Sequence, residues 1–438
     1  MAVQGRATAL TPPASAPLAE WLAWLEAGRG EHIDLGLERC AEVAARLGLT
    51  RPAPVVITVA GTNGKGSSVA LLVAIYRAAG QRVGAYTSPH LLRYNERIRI
   101  DGEEVDDARI CAAFARVEAA RQHTALTYFE FGTLAALSIF ADARLDVVVL
   151  EVGLGGRLDA VNIVDPDVAL IAAIGLDHED WLGTTREQIG FEKAGIMRGG
   201  RVAVCSDAEL PHTMLEHARA IGALPAVLGV DFAFEDEGRD WTWWSGARVL
   251  EHLPYPALSG AHQLRNAAGV LKVVDSLQAR VPVSDAHIAA GLENIVLPGR
   301  FQRVSARLEY VMDVAHNPQA AEIFCATLAA QPAVPRTFAL VGMLRTKKHA
   351  GFLAPLLPHV QHWHFATLGG VNGAASSDLA ACLDELAPRT PCACHASVAE
   401  AHAAILAVAA PGDRVLVLGS FLTVGAMLAL LAAPRGIA

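Results

Sequence analysis

A short apolar, largely β-branched run, Val55-Val56-Ile57-Thr58-Val59, leads into Gly61-Thr62-Asn63-Gly64-Lys65-Gly66-Ser67-Ser68 and then into an Ala/Leu-rich segment over residues 69–79. The first run predicts a buried strand and the last a helix. Strand, glycine turn and helix in that order restrict the fold strongly, because together they form a cradle for phosphate. Glycines let the backbone approach an anion, and the first helical N–H groups point at it along the positive end of the helix dipole. Lys65 reaches the β/γ oxygens of a nucleotide, and Ser67 or Ser68 offers a hydroxyl to phosphate or Mg²⁺. The stretch departs from the usual P-loop pattern: Gly66 stands where Ser or Thr is expected, and Val59 where the leading Gly is expected. An ordinary glycine-rich turn would share some of these features. The lysine among the glycines, between strand and helix, favours phosphate.

Apolar residues make up 53% of the 438 and charged residues 18%, material for two domains or three with cores of their own rather than for disorder. A net charge of −9 and the lack of a basic run argue against a nucleic-acid partner. Seven scattered cysteines make no disulfide framework and suit a reducing cytosol. Their one cluster, Cys392-Ala393-Cys394-His395, lacks a second ligand pair and reads as a buried strand. Residues 1–17 carry a single charge, Arg6, and no apolar core, which predicts a loose tail and no signal peptide. Residues 421–433 are apolar but too few to span a bilayer, and predict a packed helix.

Along the chain, helices are expected over 18–26 and 35–47, joined by Ala27-Gly28-Arg29-Gly30, then a strand over 81–87 followed by Ser88-Pro89-His90. Helices over 106–121 and 126–141 precede two near-continuous apolar runs, 145–152 and 168–174, that read as central parallel strands. Ligands of open α/β sheets gather at the carboxyl ends of such strands, so Glu151 and His178 are placed to face the glycine turn. Residues 225–255 predict a β-ribbon with an aromatic side formed by Trp241, Trp243 and Trp244. Helices over 260–277 and 284–292, the second capped by Ser284, lead to the boundary candidate Leu297-Pro298-Gly299-Arg300. Strands over 310–314, 337–341, 362–366 and 414–418 with helices between them predict a second, smaller Rossmann-like sheet.

The compact string GTNGKGS resembles the Mur ligase superfamily, ATP-dependent enzymes that join a carboxylate to an amino acid. Further strings narrow the resemblance: WLAWLE, IDLGLER, SPHLLRYNERI, TYFEFGTLAAL, LEVGLGGRLDA, LDHEDWLG, EKAGI, PGRFQ and DVAHNP. Together, from about Trp21 to Val424, they look like the bacterial bifunctional dihydrofolate synthase/folylpolyglutamate synthases. The resemblance implies an α/β, two-domain Mur-ligase-like fold. Residues 18–297 would form a P-loop ATPase domain with a parallel central sheet, binding ATP and pterin. Residues 298–438 would form a smaller Rossmann-like glutamate ligase domain. It implies a cytoplasmic monomer, without nucleic-acid or membrane partners, that acts on 7,8-dihydropteroate, reduced folates, L-glutamate and ATP with two Mg²⁺ ions. The implied reaction passes through an acyl phosphate.

Several residue roles follow from the same resemblance. Thr62, Asn63, Gly64, Lys65, Gly66 and Ser67, with Asn266, Arg300 and Asp313, are implied to hold the nucleotide, Arg300 only when the domains close. Ser88, Glu151 and His178 are implied metal ligands, joined by Lys193 in carbamylated form; taken alone, His178 reads as a surface histidine, Ser88 as a turn residue and Lys193 as an exposed helix-end lysine. Thr127, Tyr128, Phe129 and Glu130, with Leu158, Asp159 and Ala160, match the pterin-binding strings, although Thr127 and Glu130 also have the spacing of a purely structural capping box. Ala27, Gly28, Arg29 and Gly30 fall at a pterin-pocket joint, where Arg29 and Gly30 replace the family's His and Ser. His316 and Ser420 match positions that place the incoming glutamate. Lys65, His178, Lys193 and His316 are the implied catalytic set. Lys347, in GMLRTKKH, departs from the usual acidic-flanked form and receives no role. Three alternatives stay open: a folylpolyglutamate synthase without the first activity, a cell-wall Mur ligase using a UDP-sugar, and a nucleotide-binding paralogue without catalysis. The TYFEF string argues against the second, and Lys65, Glu151, His178 and Lys193 against the third.

Overall fold

A computed structural model describes residues 11–29, 34–207, 209–305 and 307–432. Eight strands form the first sheet: β1 (Val55–Ala60), β2 (Val83–Tyr86), β3 (Ile98–Ile100), β4 (Glu103–Glu104), β5 (Val147–Glu151), β6 (Val168–Ile171), β7 (Val202–Cys205) and β8 (Leu224–Val227). Their order is β4-β3-β2-β5-β1-β6-β7-β8, parallel from β2 to β8 with β3 and β4 antiparallel at one edge. Side chains alternate across the pleat. Val56 and Ala60 of β1 join a core beneath the helices Leu18–Arg29, Asp107–Arg121 and Tyr128–Asp142. Val55, Ile57 and Val59 join the opposite core beneath Lys65–Ala78 and His262–Ser276. Both faces are covered, which is why β1 and β5 read as unbroken apolar runs.

The ribbon expected over 225–255 is β9 (Ala233–Asp236), β10 (Trp241–Ser245) and β11 (Arg248–Leu253), antiparallel throughout. Its aromatic side is partly core. Trp241 and Trp243 are fully buried, and the Trp243 indole donates to Ala268 O at 3.1 Å, whereas Trp244 is exposed. The second domain carries β12 (Gln302–Ser305), β13 (Glu309–Met312), β14 (Thr337–Val341), β15 (His362–Ala366), β16 (Cys392–His395) and β17 (Arg414–Leu418) in the order β12-β13-β17-β14-β15-β16. The molecule is therefore α/β, with a parallel-rich sheet in each of two domains.

Several expectations are corrected. The first helix does not stop at residue 26 but runs to Arg29, so the backbone of the joint at 27–29 is helical, and the second helix is shorter, Glu38–Arg46. Strand β6 ends at Ile171, where its register with Ala60 of β1 ends. Cys392-Ala393-Cys394-His395 is a strand but not a buried one: it is the sheet edge, and both cysteines are exposed. Residues 1–10 of the expected tail lie outside the described residues, while 11–17 are mostly exposed but anchored, with Pro12 and Ala16 buried and the Thr11 hydroxyl donating to Glu118. Ser284 caps its helix, accepting from His287 N at 3.3 Å. No helix among the described residues is long and apolar enough to cross a membrane.

Candidate active site

Strand order reverses around β1: the chain passes from β1 to β2 across the later β5, then returns to β6 on the other side. The crevice at the carboxyl ends of these strands is where such sheets bind ligands. Gly64, at φ 88, caps the Lys65–Ala78 helix in the left-handed region. A Cβ there would lie 2.6 Å from Asn266 Oδ1, so glycine is required twice, by conformation and by the approach of Asn266. The Lys65 amine curls back over the loop, donating to Gly61 O at 2.9 Å and Thr62 O at 3.3 Å. Burial lowers its pKa against the opposing pull of Glu151 and Asp177.

Glu151 ends β5 only 5% exposed, and among the described residues it accepts one hydrogen bond, from Ser88 N at 3.3 Å. Burial raises its pKa and Lys65 opposes. A buried carboxylate with spare lone pairs beside a phosphate loop fits a hard cation such as Mg²⁺. His178, exposed at the rim with φ 52, begins the short helix Glu179–Leu182; lost hydration and then the Lys347 charge hold its imidazole at about 4, neutral and able to ligate. Lys193, on Arg186–Ala194, is 4% exposed, and its amine has no hydrogen-bond or ion-pair partner among the described residues. Burial, then Lys65, brings it down to about 7. The exposed lysine that the sequence alone suggests is thus a buried one.

A cleft of about 500 Å³, open to solvent, is lined by Asn63, Gly64 and Ser67 from the loop and by Asn266, Arg300 and Asp313 from across it. Arg300 reaches the P-loop helix, its Nη2 lying 3.7 Å from a Cβ built at Gly66, and its guanidinium stands 5.8 Å from the Phe421 ring. Asp313 accepts from Phe301 N and Ala315 N, both at 2.8 Å. His316 is held by Val314 O at 2.8 Å. The Ser420 hydroxyl accepts from Thr423 N at 3.0 Å and so caps the Phe421–Ala432 helix.

The two domains meet at Asp177, to which the sequence reading gave no role. Its carboxylate takes Lys347 Nζ at 2.6 Å, Asn317 Nδ2 at 3.2 Å and His316 Nε2 at 3.3 Å, all from the second domain. Burial alone would raise this carboxyl, but the His316 hydrogen bond and the Lys347 charge outweigh it and hold it well below the usual carboxylate range. Asn63 and Asn317 exchange hydrogen bonds of 3.4 and 3.2 Å, and Asn63 also donates to Gln319 at 2.7 Å. Lys347 is therefore part of the interface, and no local sequence signal marks its pairing with a residue so distant in the chain.

A second group lies along β2 and the Tyr128–Asp142 helix. Thr127 and Glu130 form the capping box, Glu130 N to Thr127 Oγ1 at 3.2 Å and Thr127 N to Glu130 Oε2 at 2.7 Å, and Arg39 donates to Glu130 at 2.9 Å. The Phe129 ring lies against Gly153, where a Cβ would come within 2.7 Å of it, and 5.9 Å from the Tyr86 ring. Asp159, 3% exposed, accepts from Leu154 N at 2.8 Å and Val161 N at 3.0 Å, folding back the loop that carries Leu158 and Ala160. Burial raises it to about 6 against those amides. Ala27 lies exposed near the end of its helix; Gly28 and Arg29 are described by backbone only, and Gly30 lies outside the described residues.

Residues 59–223 match the Mur ligase middle domain and residues 299–421 the Mur ligase glutamate ligase domain. The dihydrofolate synthase/folylpolyglutamate synthase of Escherichia coli K12 is 46% identical over 425 residues, 97% of this chain and 98% of the relative. The solved structure of E. coli FolC in complex with DHPP and ADP superposes with a TM-score of 0.91 at 46% identity, covering 97% of this chain and 100% of that one. A bifunctional folylpolyglutamate synthase/dihydrofolate synthase with Mn, AMPPNP and L-glutamate bound gives 0.89 at 46% identity, covering 96% and 100%.

Proposed function

Because this chain belongs to the dihydrofolate synthase/folylpolyglutamate synthase family of the Mur ligases, we propose that the cleft around Lys65 is where it activates a pterin-linked carboxylate with ATP and joins L-glutamate to it. The chain is an ATP-dependent carboxylate–amine ligase of folate metabolism, giving dihydrofolate from dihydropteroate and folylpolyglutamates from reduced folates. It works with a nucleotide and a divalent metal ion. One observation carries the assignment to this cleft: the P-loop lysine faces a buried, under-satisfied carboxylate, and residues of both domains close over it.

In the proposed sequence, the acid's carboxylate attacks the γ-phosphorus of ATP, forming a P–O bond and expelling ADP. The amine of glutamate then attacks the acyl carbon, and phosphate leaves as the tetrahedral adduct collapses to the amide, with one proton released. Lys65 and Arg300 offset the charge on the transferring phosphoryl group. Asn266 and the P-loop amides orient the nucleotide, and Asp313 accepts from its ribose. Phe129 offers the pterin a ring face, Asp159 holds the adjoining loop and meets the pterin edge, and His316 and Ser420 place the glutamate. Ser88, Glu151 and His178 would hold one Mg²⁺ and a carbamylated Lys193 a second, and the bound ions spread phosphate charge. The same reading takes 18–297 and 298–438 as the two domains of a cytoplasmic monomer that acts on small molecules, not nucleic acid.

Lys193 is supported as the carbamate by its burial, its lack of partners and a pKa near 7, which leaves much of the amine neutral and able to add to CO₂. Protein exchanged into ¹³C-bicarbonate should show a carbamate carbon that grows as pH rises through 7 and is missing from Lys193→Arg; no such signal in the wild type would refute the modification. The function itself is tested by phosphate release from ATP with glutamate, comparing dihydropteroate with tetrahydrofolate. Turnover with both is expected. Turnover with tetrahydrofolate alone would leave only the polyglutamylase, and turnover with neither would refute the reading.

A further inference from the structure

Arg97 is absent from the roles given above, yet it sits between the two groups of residues described. It follows Tyr94, Asn95 and Glu96 in a single 3₁₀ turn. Glu96 fixes that turn by accepting from the backbone N–H groups of Leu91, Leu92 and Arg93 at 2.8, 2.7 and 2.8 Å. The Arg97 carbonyl accepts from Thr87 N at 2.9 Å, next to Ser88, whose N–H meets Glu151. Its guanidinium lies 5.4 Å from the Tyr94 ring and 5.7 Å from the Tyr128 ring, and Nε donates to His90 Nδ1 at 2.9 Å. No carboxylate among the described residues pairs with it, although most arginines of this chain have one. A half-buried guanidinium between an aromatic wall and the phosphoryl-transfer centre, with its Nη donors unmatched by any carboxylate, calls for an oxyanion from outside the chain.

We propose that Arg97 binds the carboxylate of the acid to be activated, holding it in line with the phosphate loop while the pterin rests on the half-buried rings of Tyr128 and Phe129. The inference rests on the functional reading above, in that the oxyanion belongs to a pterin-linked acid. Tyr94 and Tyr128 flank the guanidinium, and His90, accepting at Nδ1, engages its Nε and leaves the Nη fork for the incoming carboxylate. The carboxylate therefore arrives paired and oriented, and it enters a site of buried acids without leaving its charge uncompensated.

The test is equilibrium titration of full-length wild type, Arg97→Ala and Arg97→Lys with three probes: dihydropteroate, its analogue lacking the benzoate carboxyl, and AMPPNP with Mg²⁺. Arg97→Ala should weaken dihydropteroate at least tenfold and leave the decarboxy analogue and AMPPNP within twofold, with Arg97→Lys recovering part of the loss. Equal loss for both pterin ligands would make Arg97 a packing residue and overturn the proposal. So would a loss confined to AMPPNP, which would assign the guanidinium to phosphate, or no loss at all. If Arg97→Ala binds none of the probes, Arg97→Lys decides by the same criteria. Wild-type protein that fails to bind dihydropteroate at all would instead contradict the functional reading on which this rests.

Discussion

Lys65→Ala should lower kcat by about 10²- to 10³-fold with dihydropteroate and with tetrahydrofolate alike, the range expected when one fixed charge-stabilising group is removed from a transition state. The amine is held by Gly61 O and Thr62 O, so its position over the loop is set before any nucleotide arrives. It lies within electrostatic reach of Glu151, Asp177, His178 and Lys193, making it the charge around which the other groups are arranged. Both acceptors pass through the same phosphoryl transfer, so both should lose turnover together. Arg in this position should not rescue, since a planar fork cannot fill the place of a point charge between two carbonyls. ADP release under saturating substrates is the measurement. A variant retaining more than about a tenth of wild-type turnover would remove Lys65 from the site.

Asp177→Ala should open the molecule. The Lys347 side chain is 8% exposed and Asp177 10%, and the substitution leaves that amine, and the His316 ring beside it, facing a vacated interface. Removing one partner of a buried pair costs about 3–5 kcal/mol because the other charge is left uncompensated. Here the pair bridges two domains, so the cost falls on the closed arrangement rather than on either core. Small-angle scattering of the ligand-free variant should give a larger radius of gyration than the wild type, and kcat/KM should fall by at least about 10²-fold, since His316 and Arg300 are brought to the P-loop only by closure. In the double variant with Lys347→Ala the two losses should be clearly less than additive, because the orphaned charge is gone. An unchanged radius with additive losses would show that the pair does not hold the domains together.

Legibility in the sequence followed the range of the interactions. The stretch from Val55 to Ala78 could be read because each signal is local: an unbroken apolar run, glycines at the turn, and an Ala/Leu-rich helix, which starts at Lys65, four residues before the expected Val69. The second sheet was legible through β13, β14, β15 and β17, whose apolar runs are buried on both faces. Of its edge strands, β16 reads as a strand but as a buried one, and β12, four residues long and largely polar, does not read as a strand at all. Of the site, Glu151 and His178 could be placed because strand ends in a parallel sheet gather at one crevice. Lys193 could not be read as buried, since nothing in Glu192-Lys193-Ala194 shows that the helix turns this side chain inward. Asp177, Lys347 and Arg97 share that limit. Each is one polar residue whose meaning depends on a partner, or the lack of one, that only the folded chain brings near.

The central claim is that a pterin-linked carboxylate receives the γ-phosphoryl group before glutamate attacks. It is tested most directly by turnover with dihydropteroate carrying ¹⁸O in its carboxylate, ATP and L-glutamate, followed by mass analysis of the released phosphate. The account predicts one labelled oxygen in each inorganic phosphate and none in the nucleotide. Unlabelled phosphate, or label recovered in AMP, would contradict it.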